Sequence, residues 1–310
     1  MERKNLRCVI LGFDGLEYNI VKKFDLKSLK QAEYGKIRIP KEFYIKVNCE
    51  PYKHPIYEPW TPLIWYSFIT GRFPSEEFRR DMEFLGKWNN KAVNLADRLM
   101  RKLIKIGFSD MYRVKKVLSL LGIRKRLPTT KDYNVPTIFD LTKKAVAIDV
   151  PTYTENWPFG LTANPDENLR DFINRSLTYE LKRFDSLKKR VLSLLKGENW
   201  TLLMMYTKLL DTFGELSFND KLISTYFMVN NFVGKVRDMV GDSSFILIIS
   251  DHGTERIGET NFGKHSDHAF YSINIPIKLK NPKITDFFNV INMVLAAKSK
   301  EELISHKNYR

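Results

Sequence analysis

Short apolar runs alternate with amphipathic stretches along this chain, and that alternation predicts its architecture. Four runs, Arg7 to Gly12, Ala145 to Val150, Thr201 to Tyr206 and Ser244 to Ser250, have strand length and little polar interruption. Strands of that kind are buried on both faces and belong to mainly parallel sheets covered by helices. Glu167 to Leu195 carries alternating charges at helical spacing and predicts a crossover helix packed on the sheet, and Ile284 to Ala297 predicts a C-terminal helix ahead of a polar tail. The fold class expected is α/β, a three-layer α/β/α sandwich with a mainly parallel central sheet. Neither an internal repeat nor a low-complexity linker interrupts it.

From Asn94 to Leu127 the pattern turns wholly helical, with Leu95, Leu99, Leu103 and Ile106 on one face and Val114, Val117, Leu118 and Leu121 on another. A helical hairpin is predicted. It holds ten Lys and Arg from Arg98 to Arg126, opposed by Asp97 and Asp110 alone. Two readings stand side by side: a solvated helix face, or a positive lid that anchors an anionic partner. Residues 1–310 are therefore expected to form a single catalytic domain in which 90–128 is a basic helical insertion, or cap.

Composition narrows the class. Hydrophobic residues make up 43% and charged residues 28%, which is globular composition and excludes wholesale disorder. The formal charge of +15, from 51 Lys and Arg against 36 Asp and Glu, favours phosphates, nucleic acids or anionic lipid heads without naming one. Two cysteines, Cys8 and Cys49, are too few for a disulfide framework, which points to a reducing cytoplasm. The basic start MERKNLRCVILGFDG is too short in apolar residues for a signal peptide, and no run approaches the ~18 residues of a membrane span. Oligomeric state is not legible in the sequence.

Chemistry gathers where the strands end. Asp14 follows the first run, Asp149 lies within the second, Asp211 follows the third and Asp251 the fourth, and open α/β sheets bind ligands beyond the carboxyl ends of their strands. Asp14 sits in GFDG, whose glycines leave room for a turn and for a ligand; alone, such an Asp is more often a cap or a turn former. Asp251 and His252 directly follow the apolar FILIIS, and three of the chain's five histidines, His252, His265 and His268, fall within one short segment. Hard oxygen and imidazole ligands together suit a divalent metal. His54 and His306 attract no role.

Taken in order, GFDG, TPLIWYSFITGRFP, LLDTFGE, SDHG and KHSDHAF resemble the alkaline phosphatase superfamily, most of all its type I phosphodiesterase and nucleotide pyrophosphatase branch. The matches run from Gly12 to Phe270. The resemblance implies a metal-dependent phosphoester hydrolase, acting on a phosphoester small molecule or nucleotide through a phospho-threonine intermediate, with two divalent ions, Zn or Mn, or else Mg. Thr61 matches the family nucleophile. A helix starting near Pro62 would turn its amides toward a phosphate there, although a threonine in that place also serves as a plain N-cap. By the same resemblance Asp14, Asp251 and His252 hold the ion touching Thr61, while Asp211 and His265 hold the second.

Two departures accompany the likeness. The family spaces aspartate and histidine as D-x-x-x-H, whereas here Asp211 is followed by Glu215. Either Glu215 is a ligand, favouring a hard ion such as Mn or Mg, or the second site is weakened or lost. After TGRFP many relatives have His-Gly, and this chain has Ser75-Glu76-Glu77-Phe78-Arg79-Arg80. Arg72, Arg79 or Arg80 is then a candidate phosphate clamp, with Arg72 placed first, against the plainer reading of surface charge. Asp267 and His268 are candidates for orienting the ligands or for facing solvent. Trp60, Trp65, Tyr57, Tyr153 and Trp157 are candidate walls for the second ester group, or simply core. The sulfatase branch is disfavoured because Thr61-Pro62-Leu63 lacks its Cys or Ser pattern. A reading from another class remains: a basic module binding nucleic acid or lipid on a decayed hydrolase core.

Overall fold

The computed structural model describes residues 6–47, 56–83, 87–88, 125–155, 157, 161, 164, 166–197, 199–241 and 244–305. The strands are β1 (Arg7–Phe13), β2 (Glu33–Arg38), β3 (Tyr44–Val47), β4 (Ile56–Pro59), β5 (Lys87–Trp88), β6 (Lys125–Arg126), β7 (Ala145–Ile148), β8 (Leu202–Thr207), β9 (Ser244–Ile249), β10 (Thr254–Arg256), β11 (Gly263–His265) and β12 (His268–Ile273). The helices are α1 (Tyr18–Lys23), α2 (Lys27–Lys30), α3 (Thr61–Thr70), α4 (Glu76–Glu83), α5 (Leu169–Lys196), α6 (Leu209–Leu216), α7 (Asp220–Val240), α8 (Asp286–Ala296) and α9 (Lys300–Ser305).

A six-stranded sheet, in the order β2-β12-β9-β1-β8-β7, forms the middle layer. β1 pairs in parallel with β8 and β9, and β7 with β8, whereas β12 runs antiparallel to both β9 and β2. The four sequence runs are β1, β7, β8 and β9, and the antiparallel edge made by β12 and β2 is an addition to them. Alternation along the central strands sends side chains to two separate cores. Cys8, Ile10, Met204, Tyr206 and Leu247 join α3, α4 and α8 on one face. Val9, Leu11, Leu203, Met205 and Ile246 join α5, α6 and α7 on the other. A strand with both faces covered must be apolar at every position, which is why β8 and β9 read as unbroken apolar runs.

The crossover helix forms as α5, with Asn168 accepting from the Asp171 amide as its N-cap. The expected basic cap, with Cys49, His54 and His306, lies outside the described residues save at its margins. Where the chain departs at Trp88 and returns at Lys125, β5 and β6 pair antiparallel. Among the described residues no helix is long and apolar enough to cross a membrane.

Candidate active site

The register of the sheet brings the first carboxylates together. β1 pairs with β9 so that Gly12 faces Ile249; two residues further along each strand stand Asp14 and Asp251. β8 faces β1 through Thr207 and Phe13, and α6 starts two residues later, with Asp211 in its first turn. Gly15 makes this approach possible. Its φ is +72°, and a Cβ there would meet the Asp211 Cα at 2.6 Å, so both the left-handed backbone and the missing side chain are required.

Asp14, Asp211, Asp251 and His252 are fully buried. His252 Nε2 lies 3.1 Å from Asp14 Oδ1 and 3.3 Å from Asp251 Oδ2, and Thr61 Oγ1 lies 3.3 Å from the same nitrogen. His265 Nε2 lies 3.5 Å from Asp211 Oδ1 and 3.2 Å from Glu215 Oε1. The two imidazoles stack, with ring centroids 3.6 Å apart. Ligand atoms of Asp14, Asp251 and His252 converge within 4.8 Å of one another, as do those of Asp211, His252 and His265.

Hydrogen bonding defines what these rings present. His252 Nδ1 lies 3.0 Å from the Gly253 carbonyl and His265 Nδ1 lies 3.0 Å from that of Pro59. A carbonyl only accepts, so each Nδ1 donates its proton and each Nε2 is left with a lone pair aimed at carboxylates. Lone pair against carboxylate is repulsive unless a cation or a second proton lies between them. Among the described residues Asp14 Oδ1, Asp211 Oδ1 and both oxygens of Asp251 are buried without a hydrogen-bond partner, although buried acceptors are nearly always satisfied. This donor set, hard carboxylates with oriented imidazoles, fits divalent cations.

The titration of the cluster expresses the same demand for positive charge. Burial and the charge of Asp14 push Asp251 up to about 8, and burial with the charge of Glu215 pushes Asp211 up to about 6. Burial works against charging His252, yet the carboxylates of Asp251 and Asp14 carry it well above its ordinary value. Glu215 goes the other way: burial would raise it, but Lys208 and His265 hold it at about 2. Lys208 Nζ makes a 2.6 Å ion pair with Asp211 Oδ2, and the Tyr206 hydroxyl donates a very short hydrogen bond to Asp14 Oδ2.

Thr61 is the first residue of α3, and Trp60 takes the N-cap position without a side-chain cap bond. The Thr61 hydroxyl turns to His252. The expected cradle of amides is smaller than the sequence suggested. Pro62 has no N–H and the Leu63 amide bonds to the Trp60 carbonyl, which leaves that of Thr61. A cavity of about 160 Å³ opens beside Thr61, walled by Trp60, Trp157, Tyr206 and Lys208. Of the other candidate aromatics, Trp65 is core beneath Gly12, Tyr153 stacks on Phe139, and Tyr57 is exposed.

Arg72 is not brought to the cluster. It is exposed beyond the C-cap Gly71, the far end of a ten-residue helix that spans about 15 Å from Thr61. Asp149 is likewise elsewhere, paired with Arg183 at 2.6 Å. His268 donates at 3.1 Å from Nε2 to Glu17 Oε1 and from Nδ1 to Asp267 Oδ1, and Asp267 is exposed. Neither Glu17 nor Lys208 was among the candidates read from the sequence. Buried Glu17 also meets the hydroxyl of Ser266, which in turn accepts from the Gly253 amide. A Cβ on Gly253 would lie 2.1 Å from Glu17 Oε2, so the backbone after His252 rests directly on this carboxylate.

Among solved structures, murine ectonucleotide pyrophosphatase / phosphodiesterase 5 is 11% identical, with 82% of this chain and 58% of that chain covered and a TM-score of 0.39. The PH0037 protein from Pyrococcus horikoshii is 12% identical over 96% of this chain and 98% of that one, with a TM-score of 0.42. The lipoteichoic acid synthase LtaP from Listeria monocytogenes is 10% identical over 95% and 73%, with a TM-score of 0.41. The chain spans less than two thirds of the length of the murine protein. No curated protein matches it significantly. The sequence profile of the family described as type I phosphodiesterase / nucleotide pyrophosphatase matches residues 8–268, and the chain belongs to that family, within the alkaline phosphatase superfamily.

Proposed function

We propose that the chain is a divalent-metal-dependent phosphoester hydrolase, a phosphodiesterase by preference, with Thr61 as its nucleophile. One observation carries the reading: Thr61 Oγ1 is 3.3 Å from a histidine nitrogen whose lone pair confronts two buried carboxylates. Asp14, Asp251 and His252 would hold one ion together with Thr61; Asp211, Glu215 and His265 would hold the other. When bound, such ions lower the pKa of an alcohol and offset charge on a phosphoryl group.

The chain's own groups do the rest. Thr61 Oγ1 attacks phosphorus, the bond from phosphorus to the departing alcohol oxygen breaks, and the threonine proton reaches that alkoxide through solvent. Water then cleaves the phospho-Thr61 ester, restoring the hydroxyl and releasing the phosphate product. Lys208, on the cavity wall, offers its ammonium to a phosphoryl oxygen. Trp60 and Trp157 offer flat apolar surface to the ester group that stays behind, which suits a nucleotide.

A decayed core that merely binds polyanions is the competing reading. Glu215 had suggested it, yet its carboxylate lies 3.2 Å from His265, the imidazole that also stands 3.5 Å from Asp211, which supports a part for it at the second centre beside the converging Asp211, His252 and His265. The test is hydrolysis of a chromogenic phosphodiester and monoester with Mn, Zn or Mg, alongside Thr61→Ala. Metal-dependent turnover lost in the variant supports the hydrolase; no turnover with any metal overturns it.

A further inference from the structure

A second cavity, of about 200 Å³, lies between α5 and α6 and shares Lys208 with the cavity at Thr61. Glu215 stands on its wall as well, so it adjoins the second ligand cluster. From α5 two polar side chains line it one helical turn apart, Ser176 and Glu180. They are 3% and 2% exposed. Among the described residues neither Ser176 Oγ nor Glu180 Oε2 has a hydrogen-bond partner, although buried acceptors are nearly always satisfied.

The charges around Glu180 say what is missing. Burial pushes its carboxyl above the usual range, opposed by Arg183 and Lys208 and reinforced by Asp211 and Asp14. Arg183 Nη2 pairs with Asp149 and Lys208 with Asp211, each at 2.6 Å, and among the described residues the remaining buried Arg183 Nη1 makes no hydrogen bond to Glu180 either. Glu180 Oε2 therefore lacks a donor while facing a space large enough for a few heavy atoms. Phe172 and Leu216 supply apolar wall beside it. A ligand group that is small, positively charged and rich in N–H donors satisfies every one of these conditions; a hydroxyl supplies one donor and no charge.

We propose that this cavity is a subsite for one ester arm of the substrate, and that the arm carries a protonated amine bound by Glu180 and Ser176. The proposal rests on the phosphoester reading above. The phosphoryl group would sit at Thr61 and the shared Lys208, with a two- or three-carbon chain running along Phe172 to the ammonium.

The test compares the metal-loaded enzyme on p-nitrophenyl diesters whose second arm is 2-aminoethyl, 2-hydroxyethyl or ethyl. The expected result is a kcat/KM ratio of aminoethyl to ethyl of about tenfold or more, the effect of one charge-assisted contact. It should fall to about one in Glu180→Gln and by about threefold in Ser176→Ala, which removes a hydrogen-bond acceptor but no charge. A wild-type ratio near one, a ratio that survives Glu180→Gln, or hydroxyethyl performing as well as aminoethyl overturns the proposal. Calorimetry on metal-loaded Thr61→Ala with 2-aminoethyl phosphate and ethyl phosphate separates it from the hydrolase reading. Amine-selective binding lost in Thr61→Ala/Glu180→Gln, without turnover of any diester by the wild type, would keep the subsite and sink the hydrolase; turnover without amine selectivity would do the reverse; absence of both overturns both.

Discussion

Asp14 and Asp251 extend from neighbouring strands bonded to each other in the middle of the sheet, whereas Asp211 and Glu215 stand one turn apart on a short helix and meet His265 from a two-stranded ribbon. The first pair is dry and has no cation of its own beyond a histidine. The second keeps an internal ammonium, Lys208, against Asp211, and Glu215 is partly exposed. Strand register fixes the first set of ligands to the fold itself. A helix turn fixes only the spacing of Asp211 and Glu215. The sheet-borne half should therefore lean on added metal, and the helix-borne half should be partly self-neutralised.

The largest test of this contrast is Thr61→Ala, which removes the group joining the sheet-borne half to substrate. Its kcat should drop by about 10³-fold or more, while thermal stabilisation by divalent ions persists. Next comes that stabilisation itself: at one hundred times Kd a metal should add about 2.7 kcal/mol to unfolding free energy. Asp251→Asn should abolish it and Glu215→Gln should keep more than half, as read by urea titration with and without chelator. Equal losses would break the comparison.

Lys208→Met tests the internal ammonium. Without metal it leaves Asp211 buried and unpaired, and a loss of about 2 kcal/mol is expected, below the full buried-pair value because the lysine side chain is 18% exposed. Saturating divalent ion should restore much of it. The smallest effect belongs to Glu17 and His268. Burial alone would raise Glu17, but its hydrogen bond from His268 lowers it below its ordinary 4.5. Burial would lower His268, yet Glu17 raises it above 6.5. The glutamate's contribution is present above 4.5 and lost as pH falls through its folded value; the histidine's is present below 6.5 and lost as pH rises through its own. The difference in stability between wild type and Glu17→Gln should thus peak between those pH values, at about 1 kcal/mol. A flat difference would mean that the pair acts by shape alone.

Sequence reasoning reached what local pattern encodes. A strand buried on both faces has to be apolar throughout, so β1, β8 and β9 announced themselves, and a polar residue directly after such a run had to mark its open end. Asp149 shows the limit of that rule, because a strand end near the sheet's edge faces Arg183 on α5 instead of the centre. β12 and β2 were not legible, since β2 is a half-exposed edge strand with no apolar run and the antiparallel pairing joins segments over two hundred residues apart. Glu17 was missed for the same reason: its partner His268 is 251 positions away, and nothing in GFDGLE distinguishes a buried acid from a solvated one. Lys208 left a signal that went unused, a lone cation between the apolar LLMMYT and LL, where an unpaired ammonium could not be tolerated.

The carbonyl of Pro59 receives the Nδ1 proton of His265, and only Trp60 separates that proline from Thr61. The His265 imidazole and the Thr61 hydroxyl are thereby tethered to one three-residue stretch of main chain. A molecule wedged against the Trp60 indole would shift both together, so one hydrogen bond and three residues of main chain gauge the gap between the hydroxyl and the imidazole.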